Sequence, residues 1–228
     1  MRLLLLLLLN LLLSFTYVNA QIKLGVQGGY GLSKWNALQK NGISDYTYQT
    51  KKMGGLNFGI VSEINLSQKL IIRPGIFLTV KGTILDGVTW FDTSSEHIYL
   101  DYVELPVSLM YKIYEHRNVS VSLGGGAYAA YCYVGAEIGA GTASSGPYKI
   151  LDRVVFGNRN KDQILPMIVE HMDFGYTINS SIQWRRFQFL ASYEHGLKDL
   201  LPNPALFNNN FRNSTINFSI AYFIFPLH

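Results

Sequence analysis

Seven charged residues raise the first chemical question: Lys23, Glu63, Arg73, Lys81, Glu104, Asp173 and Glu194 all stand in segments where polar and apolar residues alternate. Alternate side chains of a β-strand point to opposite faces, so each of the seven falls on the polar face of its segment. Should those faces turn inward together, opposite charges would meet in a low-dielectric interior and form a hydrogen-bonded network of structural character. Glu63 and Arg73 flank the short connection 66–69, and a hairpin centred there sets Glu63 opposite residues 71 to 73.

Catalytic constellations are absent. Nucleophilic catalysis needs a nucleophile and a base within hydrogen-bond reach, and the best local pair lies in Ser192-Tyr-Glu-His195. Ser192 and His195 are three apart, so on a strand they face opposite sides. His171 has no serine two residues away. The five histidines, at 97, 116, 171, 195 and 228, lack the spacing of metal ligands. Gly124-Gly-Gly126 is followed by no Lys-Ser/Thr pair and so is no phosphate loop; within a strand it reads as a place of close backbone approach. The single cysteine, Cys132, has no internal partner and reads as a small apolar filler. No catalytic residue, metal site or cofactor is therefore expected.

Eight segments carry the alternation: 22–33, 54–65, 70–82, 98–113, 118–133, 171–184, 187–197 and 213–225. The pattern is sharpest where Met172, Phe174, Tyr176, Ile178 and Ile182 oppose Asp173, Gly175, Thr177, Asn179, Ser181 and Gln183. A soluble sandwich alternates too, but the connections discriminate. Short ones (66–69, 114–117, 185–186) take turns with long ones (34–53, 83–97, 134–170, 198–212) along the whole chain. That is the plan of an up-and-down transmembrane barrel, with short periplasmic turns and long external loops; Greek-key links give no such regularity. The expected fold is all-β, an eight-stranded antiparallel transmembrane barrel, closed because lipid cannot hydrate a sheet edge. A barrel of eight strands has an interior just wide enough for side chains to fill. Tyr30, Tyr99, Tyr111, Tyr131, Tyr133, Tyr193, Tyr222 and Trp184 lie toward strand ends on the apolar faces, as interfacial girdles require.

The ends and the composition fit this plan. Met1-Arg2, the apolar run Leu3–Leu13 and Val18-Asn19-Ala20 read as a secretory signal peptide over 1–20, leaving 21–228 as the barrel domain. Its apolar core is too short for a spanning helix, which takes ~20 residues. Aromatics make up 14% of the chain, with 15 Tyr and 21 Gly, and the net charge is only +4 without a dense basic cluster. Strands are favoured over helices, and nucleic acid is not an expected partner. In the long connection 134–170, Gly139–Pro147 reads as a flexible external loop. The apolar stretch 164–172 reads as a strand extension, a lumen cap or a partner contact.

Three stretches resemble a known family. Tyr99-Leu-Asp-Tyr-Val-Glu-Leu-Pro-Val-Ser-Leu-Met-Tyr-Lys112 is similar to the "Y-L-E-I-P-L-L-L-K-Y" strand of the PorT-like outer-membrane β-barrel family of Bacteroidota. Leu70-Ile-Ile-Arg-Pro-Gly-Ile-Phe-Leu-Thr-Val-Lys-Gly82 resembles its "L-R-P-G-L-x-Y-x-x-K-G" strand, and Gly25-Val-Gln-Gly-Gly-Tyr-Gly31 its "G-x-K-G-G-x-N" start. The resemblance implies an integral outer-membrane protein, and most members lack an assigned activity. The expectation is a non-enzymatic barrel with a filled lumen, serving as scaffold, surface recognition element or subunit of an envelope or secretion assembly. A narrow porin-like channel and a lipid A-modifying enzyme are the alternatives. Expected partners are outer-membrane lipid, the barrel-assembly machinery during biogenesis, and an envelope protein meeting the 134–170 loop.

Overall fold

The computed structural model describes residues 22–39, 47–88, 92–143, 145–157, 168–201 and 209–227. The signal-peptide expectation at 1–20 lies outside them. Twelve strands follow in order: β1 (Ile22–Gln39), β2 (Thr47–Lys51), β3 (Met53–Asn65), β4 (Leu70–Val88), β5 (Asp92–His116), β6 (Val119–Ala143), β7 (Gly146–Arg153), β8 (Val155–Phe156), β9 (Ile168–Val169), β10 (Met172–Trp184), β11 (Phe187–Gly196) and β12 (Asn209–Leu227).

Eight of these close a ring. The antiparallel order β1-β3-β4-β5-β6 continues from β6 to β10, then to β11 and β12, and β12 pairs back on β1. The eight ring strands match the eight alternating segments of the sequence, three of which overrun their strand by one residue. Closure gives every strand in the wall two neighbours, which is what a hydrocarbon environment demands of backbone N–H and C=O groups. The alternation survives in three dimensions: in β10 every second residue from Asp173 to Gln183 is buried, while Met172, Phe174, Tyr176, Ile178, Ile182 and Trp184 are exposed. Leu56, Phe58, Ile60, Leu78, Leu105, Val107, Phe189, Phe218 and Ile220 extend the same apolar outer belt around the ring.

The two ends of the barrel differ. At one end the connections are tight: His116 pairs with Val119 and Trp184 with Phe187, leaving two-residue turns at 117–118 and 185–186. At the other end the strands run on far past the wall. Here the sequence reading needs correction. The segment 83–97, expected as a loop, is mostly strand: β4 and β5 stay paired out to Val88 and Thr93. Gly139–Pro147 is no flexible loop either, because β6 remains paired with β5 to Ala143 and folds back as β7, with Ala143 opposite Gly146. Gly146 takes a φ of +118°, a region that glycine reaches without a Cβ clash. β2 pairs with the extension of β4, so β2, β4, β5, β6 and β7 form one continuous sheet beyond the wall.

A bulge marks where wall becomes extension. Tyr102 pairs with Cys132 but Asp101 with Val134, so Tyr133 is the extra residue. An extra residue shifts the phase of alternation by one. Before the bulge, Tyr128, Ala130 and Cys132 face in; after it, Gly135 and Glu137 do.

Above the polar lumen the interior turns apolar. Trp35, Leu85, Ile98, Leu100, Tyr102, Tyr128, Ala130, Cys132, Val154, Val169, Leu200, Leu201 and Phe211 form one buried cluster. Trp35 and Phe211 meet edge to face with centroids 5.9 Å apart. β8 and β9 pair in parallel and lay Val169 into this cluster, so the apolar stretch after 164 caps the lumen where the structure describes it.

Candidate functional site

The seven sequence-selected charges gather in two groups stacked along the lumen. The group near the tight turns centres on Glu63, which is 1% exposed. β1 sets Lys23 directly across from it, with Nζ 3.7 Å from a carboxylate oxygen. Arg73, on the adjoining β4, brings Nε to 3.9 Å of Glu63 and donates from Nη2 to Gln27 Oε1 at 2.5 Å. Gln188 donates to Glu63 Oε1 at 2.7 Å from the far wall. The position of Glu63 within reach of Arg73 follows from hairpin arithmetic about 66–69. Gln27 and Gln188 occupy inward positions of β1 and β11 that the same alternation marks.

The second group centres on Lys81, which is fully buried. Its Nζ lies 2.5 Å from Glu104 on the neighbouring strand and 2.9 Å from Glu194 across the lumen. The ammonium also stands over the Tyr128 ring, 4.4 Å from its centroid. Asp173 makes no direct pair with Lys81; it accepts from Tyr128 Oη at 3.2 Å and from Asn213 Nδ2 at 2.8 Å. Asn217 donates to Glu194 at 3.0 Å. Asn213 and Asn217 stand outside the seven sequence-selected charges, and so does Tyr128. Its parity with Ser122 and Gly124 was the available signal.

Between the two groups lies a cavity of about 40 Å³, bordered by Asn57, Arg73, Thr79, Glu104, Asn179 and Asn217 among others. That is room for a few small molecules the size of water. Asn179 bridges across it to Ser108 at 2.9 Å. Charged side chains and amides thus fill the bore, and the apolar cluster seals it on the long-strand side.

Ser192 faces the lumen, whereas His195 points outward between Tyr176 and Tyr193, with ring centroids 5.5 and 6.4 Å away. His171 stacks between Tyr131 and Phe156 and places Nδ1 2.8 Å from the Cys132 carbonyl. Among the described residues no group of three or more His, Cys, Asp or Glu side chains is arranged to hold a metal ion. Cys132 is buried in the apolar cluster.

Two further polar clusters sit on the strand extensions. Lys51 pairs with Asp86, which also accepts from Ser95 at 2.7 Å; those bonds hold the Asp86 carboxyl below its ordinary range. Glu137 is buried, and burial followed by the Glu96 and Asp152 carboxylates pushes its pKa up to about 7.

A closed ring with an apolar outer belt, a polar filled bore, two-residue turns at one end and long strand extensions at the other defines a transmembrane β-barrel of outer-membrane type. The family comparison agrees. The model for the outer membrane protein β-barrel domain matches residues 14–201, and the chain belongs to that family. No curated protein matches the chain in sequence. Among solved structures it is similar to Ail, the attachment invasion locus protein of Yersinia pestis (10% identity, 90% of this chain and 99% of that one, TM-score 0.38). It is also similar to outer membrane protein OprG from Pseudomonas aeruginosa (9% identity, 90% and 93%, TM-score 0.49). A further similar structure is the outer membrane protease OmpT from Escherichia coli (10% identity, 90% and 96%, TM-score 0.41).

Proposed function

We propose that this outer-membrane protein is a non-enzymatic, plugged barrel whose work is done outside the bore, as a scaffold or recognition surface or as a subunit of an envelope assembly. The observation that carries the reading is the double occlusion of the lumen: ion-paired side chains from opposite walls below, and the Trp35–Phe211 apolar cluster above. A conducting pore needs a continuous hydrated path, and an enzyme needs a nucleophile beside its base; Ser192 and His195 stand on opposite sides of the wall. The strands beyond the membrane, from Thr47–Lys51 to Gly146–Arg153, supply a sheet on which an envelope partner would dock. The three stretches shared with the PorT-like barrels support placing the protein in that branch. The charged n-region, apolar run and Val18-Asn19-Ala20 support export with cleavage after Ala20, and the tight turns then face the periplasm. Planar-bilayer recording of the refolded protein tests the plug. The expected trace is flat; large, steady single-channel steps would sink the reading and favour the narrow channel.

A further inference from the structure

The periplasmic end of the barrel carries cations at a place where the backbone disfavours them. Arg117 has a φ of 49° and Arg185 a φ of 56°, and both are the first residue of a two-residue turn. Such positions favour glycine, because an L-residue there sets its Cβ too close to the following carbonyl oxygen. The two turns are neighbours, because Arg185 donates its backbone N–H to the Asn118 carbonyl at 3.0 Å. Arg186 adjoins them, its carbonyl accepting from Phe223 N at 2.8 Å. Three arginines therefore stand together at this end of the barrel. The arginines are exposed, and among the described residues none has a carboxylate within ion-pair distance. The nearby Lys112 is already paired with Glu115 at 3.3 Å.

The wall just behind this patch is built for an interface. Tyr222, Phe187, Trp184, Val119 and His116 are direct neighbours on five successive strands, β12, β11, β10, β6 and β5. All five share the lipid-facing side of the sheet, with Trp184 52% exposed. Trp184 lies beside the guanidinium of Arg185, 5.6 Å from its ring centroid. The amphipathic rings of Trp184 and Tyr222 in this row suit the headgroup level of a bilayer. The arginines stand one residue beyond that row, at the depth of phosphate groups.

We infer that Arg117, Arg185 and Arg186 form a binding site for the phosphate of an anionic phospholipid of the periplasmic leaflet, with Trp184 and Phe187 flanking its glycerol and upper acyl region. Retaining arginine at two strained turn positions is then explained by what the side chains hold. Arginine suits the task because its planar fork matches phosphate oxygens bidentately. The inference rests on the periplasmic orientation of the tight turns only for naming the leaflet.

The test uses the full mature chain in neutral detergent. Phosphatidylglycerol and phosphatidylcholine of matched acyl chains are added, and retained lipid is counted by native mass spectrometry. Phosphatidylglycerol should be retained preferentially, and salt should erase the preference. The double variant Arg117→Gly/Arg185→Gly relieves the turns, so it folds, yet lacks two cations. At about 1 kcal/mol for each basic residue near an anionic surface, its phosphatidylglycerol affinity should fall roughly 30-fold. Arg117→Lys/Arg185→Lys should restore most of it. Equal retention of both lipids, an unchanged Gly variant, or stronger retention of lipid A than of phosphatidylglycerol would overturn the site. Orientation is read separately, by labelling Asn118→Cys in intact cells with an impermeant thiol reagent. Labelling there would refute the periplasmic placement without touching the detergent result.

Discussion

At the scale of single residues, the lumen is governed by the cost of an unpaired charge. Glu63 stands between Lys23, Arg73 and Gln188, and its loss would leave the Arg73 guanidinium buried with Gln27 alone. Breaking a buried pair from one side costs about 3–5 kcal/mol, since the remaining ion keeps its desolvation penalty. Glu63→Ala should therefore lower the unfolding free energy, read from the urea titration of the folded, heat-modifiable band, by an amount in that range; an unchanged value would remove Glu63 from the network. Glu137, on the extension of β6 outside the membrane, gives the opposite sort of prediction. Its carboxyl is pushed up to about 7 by burial and by Glu96 and Asp152. With the folded value above the unfolded one, the folded form binds the extra proton between roughly pH 4.5 and 7, so stability falls as pH rises through that window. With the base-catalysed intrinsic rate divided out, the outer sheet should show larger amide protection factors at pH 5 than at pH 8 over 136–143 and 146–153, and Glu137→Gln should flatten the difference.

At the scale of elements, three consecutive glycines in β6 play two parts. Gly124 and Gly126 face the lumen, where an added Cβ would collide with the backbone carbonyls of Leu109 and Val107. Gly125 faces out, and the nearest atom to its Cβ position is the Thr177 carbonyl at 3.1 Å. Gly126→Val should thus abolish the folded band, while Gly125→Ala should leave refolding yield nearly unchanged. Equal behaviour of the two would mean that β5 and β6 do not approach as closely as the register places them. Much of this was legible beforehand. The period of two in β10 and β11 and the short connections at 66–69 and 185–186 fixed strand order and facing. The length of β4, β5 and β6 was not legible, because beyond the headgroups both faces of a strand meet water or loops and the apolar-polar alternation loses its cause. Ile98-Tyr99-Leu100 carries apolar residues on both faces, a sign of burial above the membrane that simple alternation does not register.

At the scale of the whole molecule, two bodies share strands: a lipid-embedded ring with a polar bore, and an outer sheet closed by an apolar cap. Trp35, Leu200 and Phe211 tie the cap to the ring. Each Trp or Phe truncation in a packed cluster removes about 3–5 kcal/mol. Trp35→Ala/Phe211→Ala should open the outer body to protease between 135 and 157 while the ring keeps its resistance to heating in detergent. Loss of both together would mean that the two bodies unfold as one. An outer body that can loosen by itself is where a partner would act, as local stability differs across a fold.

The sequence by itself determined the ring. Lipid outside and charge inside impose a two-residue period on every spanning strand; the eight segments and their facing follow from that period, and the Glu63–Arg73 juxtaposition from that period together with the short connection 66–69. Only the tertiary structure decided which charges meet across the bore, that Asp173 joins Tyr128 and Asn213 instead of Lys81, and that the lumen ends in an apolar cap. Those contacts connect strands far apart in the chain. Their partners depend on the shear of the closed barrel and on the phase shift at Tyr133, neither of which any single segment encodes.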